Sequence, residues 1–124
     1  MNIEEVRKYC LSKPHATEDM PFGDDCVTFR VAGKIFGGIS LSQGQVVQMK
    51  CSPEEFDELT ARHQFVQQAW HWAKRHWLQF DLSEPIPDTL VLQFIDRAYE
   101  LVFNKLPKKV RLSPIFRALS FIIS

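Results

Sequence analysis

Residues 70–77 read Trp-His-Trp-Ala-Lys-Arg-His-Trp, which gathers all three tryptophans of the chain beside two histidines and two cations. Groups of these types can hold a nucleic acid: ammonium and guanidinium groups meet phosphates, and indole rings stack on unpaired bases. Lys74, Arg75 and His76 are the candidates for that contact. Lys105, Lys108, Lys109 and Arg111 form the densest basic cluster in the chain and are a second candidate set. Each set also has a purely structural reading. Tryptophans commonly fill a core while turn cations stay solvated. His76 can bond a loop carbonyl across a sheet, and cations at a helix C-terminus complement the helix dipole.

Other chemistries find less support. The chain has no Gly-rich phosphate loop, no G-x-S-x-G, no H-E-x-x-H and no cysteine with an evident base, so no catalytic residue is named. A non-enzymatic binding module is expected. His71, His76 and Cys51 are the set to weigh for zinc or iron, but no ligand spacing asks for a metal, and neither a metal nor a cofactor is expected. Glu4-Glu5 and Glu54-Glu55 sit in helix first turns, where the dipole accounts for them. Cys10, Cys26 and Cys51 form an odd set without C-x-x-C spacing and read as small buried hydrophobes.

The charge balance narrows the partner. Fifteen Lys/Arg against fifteen Asp/Glu gives a formal net charge of zero, which argues against a protein that coats nucleic acid by bulk electrostatics. Residues 1–60 hold six cations against ten carboxylates and residues 61–124 hold nine against five, so the halves carry −4 and +4. That asymmetry permits a local basic face. A chain of 124 residues with 45% apolar and 24% charged residues reads as one ordinary globular domain. Residues 2–13 are charged throughout and lack an apolar h-region, so a cytoplasmic location is expected.

The elements that must position these residues follow from pattern. Asn2, with Glu5 three residues later, caps a first helix that should end at Lys13, before Pro14. Residues 15–25 read as a loop whose apolar Met20-Pro21-Phe22-Gly23 folds back onto the body. Alternation predicts a strand over 26–31 with Val27, Phe29 and Val31 inward, a turn at Ala32-Gly33, and a return strand over 34–41. On the return strand Ile35, Ile39 and Leu41 should share one side and Phe36 and Ser40 the other, with Gly37-Gly38 marking a bulge or a close approach. A third strand over 45–51 leads to Ser52, which caps a helix running from Pro53 to about Arg62. Trp70 and Trp72 then share one side of a strand, Lys74-Arg75 makes the turn, and residues 76–82 return with Leu78 and Phe80 on the apolar face. Asp88 caps the last main helix, in which Leu90, Phe94, Ala98, Leu101 and Val102 recur at helical spacing until Pro107 stops it.

The order α-β-β-β-α-β-β-α predicts a two-layer α+β domain over residues 1–111, an antiparallel sheet covered by helices on one face and open to a partner on the other. An extra C-terminal helix is expected in the tail, residues 112–124, where Ser113-Pro114 starts a segment apolar nearly all round. It is too short to span a bilayer, which takes roughly 20 apolar residues, so no membrane partner is expected. It should instead cover a groove of its own domain or of a second copy, as a homodimer.

From Met1 to about Arg111 the chain resembles the MmcQ/YjbR-like family. The resemblance is carried by Tyr9-Cys10-Leu11 with Lys13-Pro14, the Pro21-Phe22-Gly23 loop, and the Lys50-Cys51-Ser52-Pro53-Glu54 helix start. The Lys74 to Trp77 segment, Pro87-Asp88, the Asp96 to Tyr99 helix and Leu106-Pro107-Lys108-Lys109 complete it; the order and spacing decide. The resemblance implies a fold similar to frataxin-like (CyaY) and secretion-chaperone-like proteins, and DNA contact by two basic β-hairpin wings. Ala73 stands where the family usually has a polar residue, and Leu78-Gln79 where it has a polar pair, which weakens a polar site carried over from it. Two functions follow: DNA binding through Lys74, Arg75, His76 and the 105–111 cluster, or a protein-interaction, chaperone-like module that uses the open sheet face and the apolar tail.

Overall fold

The computed structural model describes residues 1–42, 44–69 and 71–111 of the chain. It contains α1 (Ile3–Leu11), β1 (Ala16–Asp19), β2 (Cys26–Val31), β3 (Lys34–Ser40), β4 (Val46–Lys50), α2 (Pro53–Arg62), β5 (Gln67–Gln68), β6 (Trp77–Asp81), α3 (Asp88–Asn104) and α4 (Lys108–Arg111). The strands form one sheet in the order β1-β2-β3-β4-β6-β5, with every neighbour antiparallel. The α+β class and the element order stand as expected, with one strand more at the edge. The expected 112–124 helix lies outside the described residues.

Local chemistry sets the boundaries. Asn2 and Ser52 both complete capping boxes, each side chain accepting the N–H of Glu5 or Glu55 while that glutamate reaches back to the cap's own N–H. Ala32 (φ 49°) and Gly33 (φ 79°) give the β2–β3 hairpin a two-residue turn with both residues left-handed, the geometry that matches strand twist. Residues 15–25 are not all loop: β1 pairs along β2 from Ala16↔Val31 to Asp19↔Thr28. Residues 71–75 do not form the front strand of a hairpin, because the strand preceding β6 is the short β5, and the connection between the two strands (the 69–76 connection) replaces the turn expected at Lys74-Arg75. Trp70 lies outside the described residues. Asp88 is the first residue of α3 rather than its cap, and it receives the N-terminal ammonium at 2.9 Å.

The core lies between the sheet and the helices. Phe29, Val31, Ile39, Val47, Met49, Leu78 and Phe80 project from one sheet face and meet Val6 and Cys10 of α1 and Val91, Phe94, Ile95, Ala98 and Val102 of α3. Leu90 is only half-buried, because the α3 stripe runs one residue further round than its leucines suggest. Phe36 joins this core instead of sharing the side of Ser40. A bulge between Phe29 and Arg30 makes it the extra residue of β3, and its ring meets Tyr99 edge-on at 5.5 Å. Among the described residues no helix is long and apolar enough to cross a membrane.

Candidate functional site

The 69–76 connection separates the fates of the adjacent cations Lys74 and Arg75. Arg75 sits in the left-handed region (φ 64°), donates its N–H to Gln68 Oε1 at 3.0 Å, and accepts the Cys51 thiol at its carbonyl. Its guanidinium forks onto the Asp57 carboxylate of α2, with contacts of 3.2 and 2.6 Å, and that hydrogen bond and charge raise its pKa further. Arg75 therefore ties the connection to α2. Lys74 is exposed and forms no ion pair among the described residues. His76 is half-buried, and its carbonyl accepts the Cys51 N–H at 2.9 Å.

Lys105 converges with two lysines that are far from it in sequence. Together with Ile35, Val102, Leu106 and Pro107, the side chains of Lys34, Lys50 and Lys105 line a cleft of about 310 Å³. The sheet register puts Lys34 at the start of β3 and Lys50 at the end of β4, and α3 packed across these strands delivers Lys105. Among the described residues none of the three lysines forms an ion pair. Burial, and then repulsion from Lys105, lower the pKa of Lys50, whose ammonium stands 5.2 Å from the Trp77 ring centre. Lys108 and Lys109 follow on α4 and are exposed; Arg111 is half-buried. Such a cleft can bind an anion, since one negative group there would relieve the mutual repulsion.

The open sheet face carries a second arrangement. Register places Asp19, Thr28, Gly38, Gln48, Gln79 and Gln67 in one row across all six strands. Phe22, Asp25, Cys26, Ser40, Ser42, Gln48, His71, Trp72 and Gln79 line a cavity of about 390 Å³ over this row. Trp72 forms one wall, its ring centre 4.2 Å from that of Trp77 and 6.2 Å from that of Phe22, which meets it edge-on although it is 64% exposed. His71 reaches the cavity in the left-handed region (φ 68°).

Metal chemistry has no matching geometry among the described residues, where no group of three or more His, Cys, Asp and Glu is placed to hold an ion. Burial pushes the Cys51 thiol up to about 12, so it stays protonated and serves as a donor to Arg75.

The family model described as YjbR matches residues 11–101. The chain belongs to the YjbR family. YjbR of Escherichia coli K12 is 28% identical over 112 residues, 90% of this chain and 95% of its own. YbdF of Escherichia coli O157:H7 is 25% identical over 107 residues, 86% of this chain and 88% of its own. Both relatives are described as uncharacterised, so membership of the YjbR family brings a fold and no activity. Among solved structures, a Deinococcus radiodurans protein with a DUF419 domain superposes with a TM-score of 0.83 at 25% identity, covering 96% of this chain and 88% of that one. A Pseudomonas syringae protein gives 0.69 at 22% identity, over 82% of this chain and 98% of its own.

Lys34 and Lys50 are the site residues that sequence reasoning misses. Each stands alone among apolar and polar neighbours, and only strand register brings them together. Gln48 and Gln79 read merely as the polar positions of alternating strands. The YjbR match includes all four of these residues but stops short of Lys105.

Proposed function

We propose that the protein is a non-enzymatic binding module that holds a DNA strand by its phosphates at the Lys34, Lys50 and Lys105 cleft. The supporting observation is the convergence of three lysines, none in an ion pair among the described residues, on one concave site. Lys108 and Lys109 extend the basic surface past Pro107, itself a lining residue. His76 precedes Trp77, which pairs with Lys50 across β4 and β6. Lys74 is available for a further phosphate. Arg75, bound to Asp57, contributes by fixing the connection. Fluorescence anisotropy with a labelled single-stranded oligodeoxynucleotide tests this reading. Affinity should fall log-linearly with salt and drop in a Lys34→Ala/Lys105→Ala double variant. Absence of binding at low salt, or binding indifferent to that double variant, overturns it.

A second reading, a protein-interaction module, draws support from the exposed apolar side chains Met20, Phe22 and Leu41, which are 42%, 64% and 45% exposed, with Phe22 lining the open-face cavity. Apolar association there, or a homodimer through residues 112–124, should hold or strengthen as salt rises. Light scattering on the chain with and without those residues tests the dimer: one monomeric mass in both removes it.

A further inference from the structure

A residue lining the open-face cavity carries a hydrogen-bond acceptor that has no donor among the described residues. Gln48 is 4% exposed in the middle of β4, and its Nε2 donates to Ser40 Oγ at 2.8 Å. Its Oε1 is buried and has no partner among the described residues. Buried polar atoms are nearly always bonded, so an acceptor left open beside a cavity marks the place of a donor from outside. Gln79 pairs directly with Gln48 in register, Ser42 and Asp25 add polar groups, and Trp72 presents a flat apolar wall. At about 390 Å³ the cavity falls within the range of small-ligand sites, an apolar wall with a few convergent polar groups.

We infer that this cavity takes one unpaired nucleobase carrying an exocyclic amino group, its ring against Trp72 and an amino N–H donated to Gln48 Oε1. The wall selects a planar ring, since stacking on an indole is available to any base. The lining selects the edge. An amino group brings two N–H donors to a site whose charged member is the Asp25 carboxylate and whose open atom is an amide oxygen. A uracil edge has one N–H, at N3, flanked by two carbonyls, so any pose that donates to Gln48 Oε1 also turns a carbonyl toward the neighbouring acceptors. The aromatic contacts from Trp72 to Trp77, and from Trp77 to the Lys50 ammonium, join the cavity to the lysine cleft. Choosing a nucleobase over another planar donor rests on reading that cleft as the phosphate site.

Phosphate-free nucleosides test the cavity apart from the cleft. Cytidine and uridine differ at the decisive edge, as do adenosine and inosine. Titrated into the full chain and followed by tryptophan fluorescence, cytidine and adenosine should each bind about tenfold more tightly than the partner lacking the amino group. The side-chain amide resonances of Gln48 should shift with cytidine in a ¹H–¹⁵N spectrum of the unaltered protein, a measurement that depends on no variant folding. Gln48→Met should erase the cytidine preference, and Trp72→Leu should weaken both nucleosides. Equal binding of cytidine and uridine, a uridine preference, or no shift at Gln48 overturns the inference. Salt-dependent oligonucleotide binding that persists after that result leaves the cleft standing, whereas nucleoside discrimination without it removes the cleft alone.

Discussion

At Gly38 the missing side chain leaves room beside the Gln48 amide oxygen. A Cβ there would stand 3.3 Å from Val27 O, 3.4 Å from Gln48 Oε1 and 3.6 Å from Cys26 Sγ, so the Val27 carbonyl must give slightly while the methyl comes into contact with the glutamine oxygen. Gly38→Ala should therefore set a methyl against the unbonded acceptor at small cost in stability: thermal unfolding shifts by a few degrees while the cytidine preference weakens. Its neighbour makes the contrast. At Gly37 a Cβ would come within 2.7 Å of both Cε and Sδ of Met49, a side chain with no exposed surface, so room must be made inside the core. Gly37→Ala should cost roughly 1–3 kcal/mol in urea unfolding, as over-packing does, and leave nucleoside discrimination intact. If the two variants exchange these phenotypes, the assignment of Gly38 to the cavity side is wrong. The sequence signals a special backbone at this glycine pair but not which glycine serves the core and which the open face. That division follows from register with Phe29 and Thr28.

Among the elements, β1 shows what local pattern can and cannot reveal. Ala16-Thr17-Glu18-Asp19 carries no large apolar residue, so alternation has nothing to signal, and the strand adds charged contacts to its ladder with β2. Arg7 of α1 binds the Glu18 carboxylate in a fork of 2.8 and 2.5 Å, and Asp19 accepts from Thr28 at 2.5 Å and from Arg30 at 3.1 Å. The Arg7 hydrogen bond holds Glu18 below its ordinary 4.5, and the Thr28 hydrogen bond holds Asp19 below its ordinary 3.8. Depressed carboxyl pKa values stabilise the fold above the ordinary values, and that contribution is lost as pH falls through the folded ones. Below about pH 4.5, then, β1 amides should lose hydrogen-exchange protection before those of β3 and β4, and Glu18→Gln should blunt the effect. Uniform loss along the sheet would mean that β1 is held by its ladder alone. By contrast β2, β4 and α2 are legible, because β2 alternates plainly, β4 alternates well enough from Val47 to Lys50, and the helix carries Ser, Pro and Glu at cap, first and third positions. The 69–76 connection is not. Tryptophans at alternate positions look like a strand, yet the backbone there turns left-handed at His71 and Arg75.

For the whole molecule, proximity in sequence and proximity in space point to different cations. Lys74 and Arg75 are neighbours in the chain, but Arg75 is bound to Asp57. Lys34, Lys50 and Lys105 are scattered along the sequence and meet because a meander of antiparallel strands returns to the same end of the sheet, where α3 finishes. No count of local charge anticipates that, although the order of short motifs was enough to identify the family. The two sets of cations make different demands on salt dependence. Each phosphate contact to a single strand contributes about 0.7 to the slope of log affinity against log salt. Lys34→Ala and Lys105→Ala should each flatten the slope by roughly that amount, and the double variant by about twice as much. Arg75→Ala should leave the slope unaltered, because its guanidinium already faces a carboxylate at 2.6 Å and releases no phosphate counterion. A slope that flattens with Arg75→Ala but not with Lys105→Ala would place the strand on the 69–76 connection, with the lysine cleft left to some other anion.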